Sequence, residues 1–100
     1  MLTKEKILKE LNKNKKKLKE VGVDSIELFG SYVKGTQTEK SDIDFLVRFG
    51  EGKGTFRNHF ELLNFLKKIF KKEIDIIKPH LIREELKESI LGGERIAAKL

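Results

Sequence analysis

Two short groups of residues in this chain have the types and spacing that chemistry on a phosphate requires. Gly30-Ser31 is followed, after ten residues, by Asp42-Ile43-Asp44, and a third aspartate, Asp75, lies downstream. Gly30 lets the backbone come close to a phosphate, and Ser31 adds a hydroxyl donor. If Ser31 opens a helical turn, its free backbone N–H groups also point at the anion. Three carboxylates brought onto one patch repel and raise each other's pKa. Magnesium removes that penalty, because it favours oxygen ligands and binds nucleotide phosphates as well. Two carboxylates can share ions with a triphosphate, a third can help activate an attacking hydroxyl, and two metals can stabilise the attacking and leaving oxygens together. Those parts amount to nucleotidyl transfer.

The elements that must position these residues can be read from periodicity. Asp42 to Phe49 is the clearest strand: Ile43, Phe45, Val47 and Phe49 alternate with Asp42, Asp44, Leu46 and Arg48. A period of two puts both aspartates on one face, opposite an apolar row. Ser25 to Phe29 is a first strand that stops at Gly30, and a short helical turn carries Tyr32, Val33 and Lys34 up to Gly35. Thr36 to Ser41 is a polar loop. Glu73 to Ile77 reads as a third strand, ended by Pro79, with Asp75 on the face opposite Ile74 and Ile76.

Helices fill the remainder. Thr3 to Glu20 reads as one helix with Thr3 as N-cap and Ile7, Leu8, Leu11 and Leu18 at helical spacing. The lysines from Lys13 to Lys19 form a solvated face. Thr55 caps a second long helix, whose apolar face is expected at Phe56, Phe60, Leu63, Leu66 and Phe70, filling the core. A third helix is expected from Leu81 to Leu91, broken by Gly92-Gly93, with one last turn in the tail. His59 and His80 stand without partners at metal-ligand spacing, so zinc is not expected. Tyr32 is placed either beside a nucleotide or in the core. The order of elements gives α/β or α+β.

Composition narrows the class further. One hundred residues make one domain, residues 1–100, large enough for a modest core. The net charge of +6 points to anionic partners such as nucleotides, nucleic acid or an acidic protein surface. The absence of cysteine excludes a disulfide framework, a thiolate zinc site and a cysteine nucleophile. No signal peptide or membrane-length apolar run is visible, so a cytoplasmic protein with no membrane partner is expected.

The run Gly30-Ser31, ten residues, Asp42-Ile43-Asp44 resembles the signature of the minimal nucleotidyltransferases, small members of the DNA polymerase β-like superfamily. Leu28-Phe29 before it, Phe45-Leu46-Val47 after it and Glu73-Ile74-Asp75-Ile76-Ile77 extend the likeness. The resemblance implies a polymerase β-like fold, a small mixed sheet flanked by helices. It implies Asp42, Asp44 and Asp75 as catalytic metal ligands for Mg2+, and Gly30, Ser31 and Lys34 as nucleotide-binding residues. Lys34 stands where many relatives carry arginine, so it supplies charge without the two-pronged fork. Small members of this kind are often antitoxins, and the resemblance implies transfer of AMP from ATP to a tyrosine of a HEPN-domain ribonuclease toxin. Three other readings compete: a binding module that neutralises its partner by covering it, a nucleotidyltransferase for a small molecule, and RNA binding through the lysine-rich first helix. Nucleic acid is not expected as the main partner.

Overall fold

The computed structural model describes residues 1–100. Helix α1 (Lys4–Lys13) begins at Thr3, whose side-chain oxygen accepts the Lys6 N–H. The expected single first helix is divided. Asn14 leaves helical dihedrals (φ −106°, ψ 19°), and its side-chain amide donates to the Glu10 carbonyl at 2.8 Å. Such local side-chain bonding competes with helix continuation, and α2 (Lys15–Glu20) follows as a separate segment.

Strand β1 (Val23–Phe29) leads through Gly30 into α3 (Ser31–Lys34). Strand β2 (Ile43–Phe49), helix α4 (Phe56–Phe70) and strand β3 (Ile74–Ile77) come next. A 3-10 turn (Pro79–Leu81), helix α5 (Glu84–Leu91) and strand β4 (Ile96–Ala97) complete the chain. The sheet order is β3-β2-β1-β4. β1 is antiparallel to both β2 and β4, while β2 and β3 are parallel. The fold is therefore mixed α/β, as the pattern of elements indicates.

One sheet face is packed and the other is largely open. Ile43, Phe45 and Val47 of β2 join Ile26 and Leu28 of β1 in the core under α1, α2 and α4. Asp44 and Glu27 alternate with those residues and so project from the opposite face. Leu46 shares that opposite face yet is fully buried outside the main core cluster, as is Ile82 nearly so. The chain from β3 must reach β4 at the other edge, and the turn at Pro79–Leu81 packs on β2 as it sets out. That crossing segment covers part of the open face.

Three further expectations are corrected. Helix α4 buries Leu62, Leu66 and Phe70, whereas Phe56 is 77% and Phe60 48% exposed, their rings tilted against each other with centroids 5.5 Å apart. Apolar residues occur around more than half of this helix, so spacing alone does not select the buried stripe. The third helix starts at Glu84, after the 3-10 turn, and buries no residue of its own. The tail forms β4 rather than a last helical turn, because the edge of β1 offers a backbone partner. No helix is long and apolar enough to cross a membrane.

Candidate active site

The Gly-Ser turn and the Asp-x-Asp strand meet because β1 and β2 are paired. Register sets Phe29 opposite Asp44, so Gly30 follows directly beside that aspartate. Gly30 has φ 80° and ψ −150°, a conformation that glycine adopts and other residues avoid. A Cβ at this position would overlap Asp44 Oδ2 and lie 3.2 Å from its Cγ. Glycine is thus needed twice, for the backbone turn and for the carboxylate that lies against it.

The short helix α3 is anchored by Tyr32 and Val33, both buried in the core. The N–H groups of Val33 and Lys34 both donate to the Gly30 carbonyl at 3.1 Å. Those of Ser31 and Tyr32 come too early in the helix to have an intrahelical acceptor. Ser31 is half-buried beside the turn, while Lys34 is exposed at the last position of α3. Tyr32 packs in the core, and its hydroxyl has no protein partner.

Asp42 and Asp44 sit at the entrance to β2, and the parallel pairing with β3 places Asp75 directly beside Asp44. Asp42 and Asp75 are exposed, and Asp44 is half-buried. Burial pushes the Asp44 carboxyl up to about 6, with added repulsion from Asp75 and then Asp42. The three carboxylates do not close into a ready-made three-ligand cage. Their donor set nevertheless suits a hard divalent cation: oxygen ligands only, and a repulsion that such an ion relieves.

Residues outside the motif hold its connecting loop. The Thr38 N–H donates to Ser41 Oγ at 2.8 Å, and the Ser41 N–H donates back to the Thr38 carbonyl at 3.1 Å. Lys72 Nζ donates to the Glu39 carbonyl at 3.0 Å, and Gln37 Nε2 to the Leu2 carbonyl at 3.4 Å. The Thr38–Ser41 turn has a recognisable composition of short polar residues. The Lys72 contact, 33 residues away in sequence, carries no local signal.

The family model of the nucleotidyltransferase domain matches residues 4–98. The chain belongs to this family. It is 43% identical over 93 residues to a Methanocaldococcus jannaschii protein provisionally named a protein adenylyltransferase, covering 90% of this chain and 93% of that one. It is 35% identical over 92 residues to the protein adenylyltransferase MntA of Thermococcus cleftensis, covering 91% and 92%. Among solved structures, one described as a minimal nucleotidyltransferase superposes with a TM-score of 0.69 at 28% identity, covering 93% of this chain and 95% of that one. A mutant of the MntA–HpeT toxin–antitoxin pair superposes with a TM-score of 0.63 at 25% identity, covering 94% and 72%. The nucleotidyltransferase is therefore of the minimal type in sequence and in fold.

Proposed function

We propose that this nucleotidyltransferase, acting as one minimal domain over residues 1–100, transfers AMP from ATP to a tyrosine of a HEPN-domain ribonuclease toxin and so acts as its antitoxin. The observation that carries the reading is the contact of Gly30 with the Asp44 carboxylate, with Asp75 on the neighbouring strand. It joins a phosphate-approach turn to a carboxylate row, the two halves of a phosphoryl-transfer site. The names of the relatives, protein adenylyltransferases and an antitoxin paired with its toxin, support protein as the acceptor.

In this reading Gly30 allows the triphosphate to approach the backbone, and Ser31 donates its hydroxyl to a phosphate oxygen. Lys34 adds positive charge at the end of α3. Asp42, Asp44 and Asp75 are the residues that would hold Mg2+, which when bound neutralises charge on the phosphates and on the leaving pyrophosphate. The acceptor oxygen bonds to the α-phosphorus, the bond from that phosphorus to the pyrophosphate oxygen breaks, and the acceptor proton passes to Asp75. Asp75 suits that task because it is exposed beside Asp44. Use of ATP on such a partner places the reaction in the cytoplasm.

The test supplies ATP labelled at the α-phosphate, magnesium, and the protein encoded by the neighbouring gene as acceptor. Label is expected to move to that protein with wild type. It is expected to fall on the order of a thousandfold with Asp44→Ala, the loss of several kcal/mol of charge stabilisation. A stable complex without label transfer would instead establish neutralisation by binding.

A further inference from the structure

The open face of the sheet carries a second charged cluster that the transfer reaction described above does not use. Arg48 Nη1 lies 2.9 Å and Arg95 Nη1 3.4 Å from the same oxygen, Oε1 of Glu27. The Glu27 side chain is only 16% exposed, so this is a largely desolvated group rather than a loose surface pair. Two guanidiniums on one carboxylate leave a surplus positive charge.

Register shows where that charge sits. Glu27 is paired with Leu46 of β2 and Ala97 of β4, and Leu28 with Ile96. Continuing the antiparallel register by one step sets Arg95 opposite Phe29, the residue opposite Asp44. Ile96 packs on the core, so Arg95 beside it belongs to the open face, as its contact with Glu27 requires. The row across this face therefore reads Asp75, Asp44, Phe29, Arg95. Arg95 is two strands from Asp44, roughly 10 Å. Phe29 lies between them in this row, and the Gly30-Ser31 turn follows it directly in the chain.

We propose that Arg95 is a nucleotide-binding residue whose guanidinium, parked on Glu27, contacts the triphosphate seated at Gly30-Ser31. Glu27 competes with the nucleotide for this guanidinium, and Arg48, with the shorter bond, stays on Glu27 when Arg95 turns to the phosphates. Guanidinium is the side-chain group best matched to a phosphate edge, and its fixed fork needs little further ordering. This inference rests on the nucleotide site proposed above, but it needs no acceptor protein.

Calorimetric titration of the full chain with a non-hydrolysable ATP analogue and with inorganic tripolyphosphate tests it. Arg95→Met is expected to weaken both by roughly tenfold or more, as loss of a charge-assisted hydrogen bond implies. Glu27→Gln separates this role from simple bracing of β4. Freed from its carboxylate, Arg95 should bind the analogue as tightly as in wild type or more tightly. The proposal is overturned if Arg95→Met binds tripolyphosphate within twofold of wild type, or if Glu27→Gln weakens binding as much as Arg95→Met does. Binding is read without an acceptor, so absence of protein labelling leaves the proposal standing. A wild type that binds no nucleotide overturns both it and the reading of the site.

Discussion

The two faces of the sheet are built from the same strands and share almost no chemistry. On the packed face, Ile43, Phe45, Ile26 and Leu28 are wholly buried under helices. On the open face, residues one step along the same strands include Asp44, Glu27 and Arg48, two of them in an ion pair. The packed face is where folding is stabilised. The open face is where a carboxylate is held partly out of water and beside like charges at a cost: burial first, then Asp75 and Asp42, push the Asp44 pKa up. Alternation along a strand lets one backbone serve both ends without either set of side chains disturbing the other.

Substitutions on the two faces should therefore differ in sign as well as size. Leu66→Ala, on the packed side, should destabilise the fold by about 2–5 kcal/mol through lost burial and a residual cavity. Chemical denaturation would show it, and a loss below about 1 kcal/mol would mean that the helices pack loosely. Gly30→Ala should act mainly on the open face, by forcing Asp44 away from the turn. A displacement of about 1 Å in such a site costs on the order of a hundredfold in rate. Near-normal transfer by this variant would break the link between the turn and the carboxylate.

Asp44→Asn sharpens the contrast because it should remove activity and improve the metal-free fold. The folded-state pKa of Asp44 is raised above its ordinary value, so ionisation is penalised in the folded chain. The penalty is present above about 6 and is relieved as the pH falls from there toward 3.8. Discounted for the solvent around a half-exposed group, it amounts to about 1 kcal/mol. Thermal unfolding without metal should find Asp44→Asn more stable than wild type at pH 7.5, with the difference shrinking toward pH 5. A constant difference across that range would assign it to something other than this carboxylate. Phe56→Ala should be the mildest change, within about 0.5 kcal/mol, since the ring is mostly exposed.

Legibility in the sequence followed how local the deciding interactions are. Thr3 and Thr55 cap helices through bonds to residues three positions on, and both were readable. The period of two in β2 showed which face holds Asp42 and Asp44. Asp75 was legible as a strand carboxylate, but its place beside Asp44 came from the parallel pairing of β2 and β3. The bonds of Lys72 to the loop before β2 and of Arg95 to Glu27 join residues far apart in the chain, so no pattern announces them. The exposure of Phe56 and Phe60 does not follow from helical spacing for a related reason: the helix is apolar on more sides than it buries.

Residue types and their spacing by themselves determined a glycine-serine turn, an acidic strand and the helices and strands that flank them, because caps, turns and alternation act over a few residues. Only the tertiary structure decided which strand lies beside which, that Gly30 must make room for Asp44, and that the tail forms a strand whose pairing with β1 brings Arg95 to Glu27. Those outcomes depend on pairing register and on packing between distant segments, where many arrangements satisfy the local pattern and one buries the core.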